Sequence, residues 1–204
     1  MSDSSVFDPD VQARSLAAKA AAALDRLGDY TRVRHWETAK SAGLTPLQHK
    51  VLLSLRYRGA TNAKPSALAA YYGVARPTIS EATRLLLKKA LLGKRRSPDD
   101  GRAFELYLTD TGRALLDGLD DPLAALRETL ADLPDADLTS AFASLYTLID
   151  RLERAGKLAR QRHCRTCVHY RERTRAPYCA LLKRDLTPPK LRIDCPEHER
   201  RVAA

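Results

Sequence analysis

The segment PSALAAYYGVARPTISEATRLLLKKAL, residues 65–91, decides the fold. From Pro65 to Tyr72, the spacing of Leu68, Ala69 and Tyr72 predicts a short helix with one apolar side. Gly73 follows as a left-handed stop. After Val74-Ala75, Arg76-Pro77 opens a second helix, where the missing N–H of proline has no intrahelical duty. Ile79, Ala82, Thr83 and Leu86 form its inner face, and the pattern runs to about Leu91. A short helix, a glycine turn and a second helix make a helix-turn-helix.

The flanks extend this unit in both directions. Leu44-Thr45-Pro46-Leu47-Gln48 starts a preceding helix with Thr45 as N-cap, Pro46 at the first position and Gln48 completing a capping box. Leu47, Val51, Leu52 and Leu55 are its apolar face, and Gly59 to Lys64 reads as a loop. Downstream, Gly93-Lys94-Arg95-Arg96 leads into the turn Ser97-Pro98-Asp99-Asp100-Gly101. Phe104, Leu106 and Leu108 then alternate with Ala103, Glu105 and Tyr107 as a half-buried strand. A two-stranded hairpin with a basic tip is expected. Thr109 caps a helix carrying Leu115, Leu116, Leu119, Leu123, Leu126 and Leu130. Past a break at Pro134, a further helix carries Leu138, Phe142, Leu145, Leu148, Ile149 and Leu152. Residues 1–8 read as a frayed start, and 9–40 as one long or slightly broken Ala-rich helix. These apolar faces exceed what two helices bury, so they are expected to pair with the N-terminal helix and with a second subunit.

Charge is distributed in blocks. Residues 76–105 hold eight Lys/Arg against four Asp/Glu, 109–154 four against ten, and 157–204 thirteen against five. The formal net charge is +10, which favours a polyanionic partner. No apolar run is long enough to span a membrane, and the acidic, polar start is unlike a signal peptide, so a cytoplasmic protein is expected.

With Ile79, Ala82 and Leu86 inward, the second helix presents Arg76, Pro77, Ser80, Glu81 and Arg84 outward, with Thr78 beside them. Arginine reads guanine bidentately, serine bonds several bases, and Pro77 can touch a thymine methyl in the major groove. At the hairpin tip Arg102 suits a narrow minor groove, held in place by Asp100. Lys94, Arg95 and Arg96 are expected to contact phosphates. Residues 44–112 resemble the MarR family of winged-helix transcription regulators. The resemblance rests on Leu44-Thr45-x-x-Gln48, Arg76-Pro77-Thr78-Ile79-Ser80, Asp100-x-Arg102 and Leu108-Thr109-x-x-Gly112. It implies a dimer on an inverted-repeat operator in double-stranded DNA. Two positions depart from the family pattern. Ala90 stands where glycine is frequent, and Glu81 where a basic or polar residue is common.

The four cysteines, Cys164, Cys167, Cys179 and Cys195, all fall in the last fifth of the chain. Four thiolates close a shell around a metal, whereas disulfides are disfavoured in a reducing cytosol. Only one pair is a Cys-x-x-Cys knuckle, and Cys195-Pro196 resembles the ending of a ferredoxin run. Arg165, Arg171, Arg173 and Arg175 would offset the negative charge, and Tyr170, Tyr178, Leu181, Leu182 and Ile193 would shield it. The balance favours a [4Fe–4S] cluster, with zinc the alternative; His163, His169 and His198 are read as surface or outer histidines, with replacement of a cysteine ligand the alternative for each. A tail of this size has too little core to fold unaided.

The expected fold is mainly α with a small β-hairpin wing: a winged helix-turn-helix dimer with long N- and C-terminal dimerisation helices and a metal-stapled tail. Four regions are expected: a dimerisation helix (1–43), the winged helix (44–112), further dimerisation helices (113–158) and the cysteine-rich tail (159–204). The expected function is a non-enzymatic, homodimeric DNA-binding regulator whose cysteine centre senses redox or iron state. Three alternatives stand beside it: a zinc-stabilised regulator, the small-ligand response common in the resembled family, and a cluster-dependent enzyme with a winged-helix docking module. Against the last, no phosphate loop, nucleophile elbow or convergent carboxylates are found.

Overall fold

In a computed structural model, residues 5–58, 63–97 and 104–201 are described. Asp100 and Arg102 therefore lie outside the described residues, as do residues 59–62 of the expected loop.

The N-terminal region is α1 (Pro9–Arg14) and α2 (Leu16–Ser41), broken at Ser15, which caps α2 through its hydroxyl. The capping box on α3 (Pro46–Tyr57) is complete: Thr45 Oγ1 accepts from Gln48 N (3.2 Å) and Gln48 Oε1 from Thr45 N (2.9 Å). Next come α4 (Pro65–Tyr72), ended by Gly73 at φ 63°, and α5 (Arg76–Lys88). The strands β1 (Leu92–Arg96) and β2 (Phe104–Leu108) pair antiparallel, with Leu92 opposite Leu108. One core joins them, centred on the buried Val51, Leu52, Leu68, Ile79 and Leu86, and Leu92, Leu106 and Leu108 carry it under the wing.

Three details correct the sequence reading. Helix α5 stops at Lys88 rather than near Leu91, because Ala90 turns left-handed at φ 55°. In β2 it is Glu105 that lies inward, while Phe104 is exposed. The Glu105 carboxylate accepts from Ser97 Oγ (3.1 Å) and Arg95 (3.4 Å), partners that make its burial tolerable. Phe104 instead lies under the Lys94 ammonium, 5.3 Å from its ring centre. Finally, the helix expected to run past Leu130 is two. α6 (Asp110–Asp117) ends at Gly118, and α7 (Ala124–Ala131) restarts after Pro122.

A side chain in the left-handed region is strained, and Ala90 carries that strain where glycine would not. Ala90→Gly is therefore expected to stabilise the fold by about 1 kcal/mol, the strain relief exceeding the added chain entropy. Urea unfolding checks this, and an unchanged or lower midpoint contradicts it.

Helix α8 (Asp135–Arg154) closes the helical part. Its Leu145, Leu148 and Leu152 are exposed, as are Leu16, Leu24 and Leu27 of α2, so apolar surface remains on both outer helices. No helix among the described residues is long and apolar enough to cross a membrane. The tail folds as a three-stranded antiparallel sheet, β3 (Tyr170–Arg171), β4 (Tyr178–Cys179) and β5 (Arg184–Asp185), with β4 central. Its core consists of Cys164, Tyr170 and Leu186, with Cys179 and Leu191 packed against them.

Candidate functional site

Two sites emerge, one on α5 and the wing, one in the tail. On α5 the burial follows the expected face, with Ile79, Ala82, Thr83 and Leu86 buried and Arg76, Pro77, Thr78, Ser80, Glu81 and Arg84 exposed. Thr83 satisfies its buried hydroxyl on Ile79 O (2.9 Å). Arg84 is not free: its Nε and Nη2 donate to the Glu81 carboxylate at 2.8 and 2.7 Å. That pairing lowers the Glu81 pKa and raises that of Arg84. On β1, Lys94, Arg95 and Arg96 are exposed, and Arg95 also reaches Glu105 (3.4 Å). Helix and strand thus present two basic edges.

The wing is braced at its root. Thr109 Oγ1 donates to Ala90 O (2.7 Å) and accepts from Gly112 N (3.0 Å). Gly112 presses so closely on the wing that a Cβ there would lie 2.2 Å from Leu91 O.

In the tail, all four cysteines line one cavity, together with His169, Tyr170, Leu181, Leu182, Arg184, Leu186, Lys190 and Arg192. They are free thiols. Cys164 begins a single 3-10 turn, Cys164–Thr166, and the turn brings Cys167 N to Cys164 O (3.0 Å), so the Cys-x-x-Cys spacing is a knuckle. Cys179 sits on the central strand, and Cys195 returns beside Cys164 because its N–H donates to Arg162 O (3.1 Å). Backbone N–H groups point at sulfur: Arg192 N to Cys164 Sγ (3.3 Å) and Leu182 N to Cys179 Sγ (3.4 Å). Burial raises the Cys164 and Cys195 pKa values, the second also through Glu197, so the neutral thiol is favoured at both. Among the described residues, no three His, Cys, Asp or Glu side chains are gathered tightly enough to share one metal ion.

The supporting residues differ from those expected. Arg192 reaches sulfur, with Nη1 3.7 Å from Cys195 Sγ, a role the sequence reading had given to other arginines. Arg165 instead pairs with Asp150 (3.4 Å), Arg171 donates to the Val168 carbonyl, and Arg173 stacks on Tyr178 at 3.5 Å. Tyr170, Leu181 and Leu182 line the cavity, whereas Ile193 is exposed. The histidines separate as well. His163 is engaged on both nitrogens, by Tyr146 (3.4 Å) and Glu153 (3.1 Å), and His198 meets Thr166 (2.9 Å). Only His169 of the three lines the cavity.

The sequence reading also missed how the tail is seated. On α8, the Glu153 carboxylate, its side chain 6% exposed, accepts from Arg200 (2.5 Å) and Gln161 N (3.0 Å) besides meeting His163. Tyr146 and Asp150 are buried beside it, and Tyr146 Oη accepts from Arg165 N (3.3 Å). Residues 146, 150 and 153 form one helical stripe, a signal present in the sequence but hidden by the leucine pattern around it.

No curated protein is significantly similar to the chain. Solved structures share its fold at low identity. A MarR transcriptional regulator from Methanosarcina mazei Go1 is 18% identical with a TM-score of 0.55, covering 67% of this chain and 97% of its own. The S. aureus MepR–DNA complex is 17% identical with a TM-score of 0.59, covering 68% and 99%. CouR from Rhodococcus jostii RHA1, bound to p-coumaroyl-CoA, is 21% identical with a TM-score of 0.52, covering 66% and 94%. Residues 44–104 match the model of the MarR family, so the stretch that holds the helix-turn-helix and the wing is similar to that family.

Proposed function

We propose that the protein is a homodimeric, DNA-binding transcription regulator whose C-terminal cysteines hold a [4Fe–4S] cluster that reports redox or iron state. The observation that carries the sensing part is the single cavity lined by Cys164, Cys167, Cys179 and Cys195, next to a winged helix. N–H donors aimed at Cys164 and Cys179 are the kind of contact that tunes thiolate-bound clusters. Zinc requires four sulfurs each about 2.3 Å from one ion. A cubane gives each thiolate its own iron, and all four cysteines line the same cavity. In this reading, Arg76, Pro77, Thr78, Ser80 and Arg84 face the major groove, Lys94, Arg95 and Arg96 the phosphates, and Arg102, with Asp100 as its proposed partner, the minor groove. The exposed leucines of α2 and α8 form the subunit interface. The DNA of the MepR complex is a property of MepR, and it supports the partner class proposed here.

Anaerobic preparation with iron and sulfide tests the reading. The expected result is brown protein with visible absorption, about four irons per chain, and twice the 22.7 kDa chain mass in sedimentation. Affinity for a duplex selected from a random pool should differ by roughly 5–150-fold between loaded and metal-free protein. Colourless protein with one zinc per chain would replace the cluster with the zinc alternative. Equal affinities would remove the sensing role.

A second reading rests on a cleft of about 750 Å³ between the lobes, lined by His35, His49, Tyr57, Arg58, Tyr71 and Tyr72 among others. The size suits a small ligand. Burial lowers the pKa of both histidines, and their buried Nδ1 atoms have no hydrogen-bond partner among the described residues. Calorimetry with a panel of small neutral and charged aromatic ligands checks this alternative, and no heat with any of them removes it.

A further inference from the structure

The tail touches the reading head as well as α8, and the contact is made by the residue next to a cysteine. Asp194 Oδ2 accepts from Arg58 Nη2 at 2.6 Å, and Tyr71 Oη lies 3.5 Å from Asp194 Oδ1. The Arg58 guanidinium also lies 4.5 Å from the centre of the Tyr71 ring. Arg58 caps α3 and Tyr71 belongs to α4, the first helix of the helix-turn-helix. Nearby, Ala159 at the start of the tail sits against the turn, 3.4 Å from where a Cβ on Gly73 would lie.

Asp194 is in turn positioned by the cysteine segment. Asp194 itself forms an isolated parallel bridge with Arg162. Cys195 N donates to Arg162 O (3.1 Å), Cys164 N to Arg192 O (3.3 Å), and the Arg162 guanidinium to Cys195 O (2.9 Å). The backbone on either side of Asp194 is thus tied to Cys164 and Cys195. On its far side the same tail is fixed to α8 through Glu153, Tyr146 and Asp150. The cysteine segment spans from an outer helix to the reading head.

We propose that the cysteine centre acts on the helix-turn-helix through the clamp Asp194–Arg58–Tyr71, which locks the reading head to α8 when the centre is loaded. This rests on the proposed cysteine centre. With all four thiolates engaged, residues 192–195 are held beside 162–164 and the carboxylate stays on Arg58. When the thiolates are released, only the bridge to Arg162 and a few backbone bonds hold the segment, and Asp194 leaves Arg58 free to follow α3 and α4. The two reading heads of a dimer then lose their fixed separation, and the affinity for two-fold DNA changes with it. Asp194 is a positioning residue: it holds neither metal nor DNA.

The test uses the full chain, loaded and metal-free, with a duplex selected by the loaded wild-type protein. Iron content, visible absorption and duplex affinity are measured, with hydrogen exchange of residues 65–72 as an independent readout. Wild type is expected to show an affinity ratio of about tenfold between the two states, with slower exchange when loaded. Asp194→Asn, which keeps the shape and removes the charge, should retain full iron and absorption. Its ratio should fall below about threefold, and loading should no longer slow exchange. Asp185→Asn, on an exposed strand of the same tail, should keep the wild-type ratio. A fully loaded Asp194→Asn protein with the wild-type ratio overturns the clamp, and so does loss of iron in that variant, which would place Asp194 in the centre itself. Failure of the underlying reading shows separately, in wild-type protein that takes up no iron or binds DNA equally in both states.

Discussion

Serine at any one of Cys164, Cys167, Cys179 or Cys195 is expected to empty the centre, with the loaded fraction falling below about a tenth for each variant. The four residues line one cavity but reach it from separate elements: a 3-10 turn, its cap, a central strand and a returning segment. No two of them are redundant in closing it. The buried core of the tail consists of Cys164, Tyr170 and Leu186, too little to hold the segment without a further staple. Loss of the centre should therefore make residues 160–201 protease-sensitive, while the helical part keeps its unfolding transition, since its core contains no cysteine. Iron content, visible absorption and limited proteolysis read both halves of the result. Retention of iron after loss of Cys179 or Cys195 would show a different ligand set, with His169 the cavity-lining candidate.

The second large effect is expected at Gly112. An alanine there sets its methyl 2.2 Å from Leu91 O and 2.8 Å from Leu108 Cδ1. Leu91 O belongs to the wing root and also accepts a hydrogen bond from Thr109 N (3.3 Å), so it cannot withdraw without breaking it. The cost should reach about 3 kcal/mol, the upper part of the usual overpacking range. For a protein of this size that lowers Tm by roughly 6–12 °C. DNA affinity should fall with it, because the wing hangs on this joint. Gly118→Ala is the control: its Cβ meets nothing closer than 3.7 Å and its φ is −87°. Equal thermal stability of the two variants would contradict the account of the wing root.

The winged helix was legible because its signals are local. Thr45 with Gln48, Gly73, Pro77 and the period of Ile79, Ala82 and Leu86 each specify one short-range geometry, and together they specify one unit. The misreadings share a cause as well. The leucines from Leu115 to Leu130 keep a helical period across Gly118 and Pro122, so apolar spacing alone joined two helices. Glu105 broke the alternation rule because Ser97 and Arg95 satisfy its charge across the hairpin, a contact no single strand reveals. The cysteines were found by their confinement to one segment. What they rest on was not, because Glu153 gains its meaning only from partners at Gln161, His163 and Arg200.

The pairing of Arg84 with Glu81 has a consequence for how DNA binding would respond to salt. Each lysine or arginine that neutralises a phosphate releases condensed counterions and steepens the fall of affinity with ionic strength. The Glu81 carboxylate, 2.7 Å from Arg84, offsets part of its charge in advance, so in the proposed role α5 would add somewhat less to that slope than its arginines suggest. To reach DNA, Arg84 must exchange one acceptor for another, which rewards a guanine edge more than a passing phosphate. In the proposed DNA-binding role, the electrolyte sensitivity would then report cations such as Arg76 and Lys94 more than Arg84, which would serve mainly to discriminate between sequences.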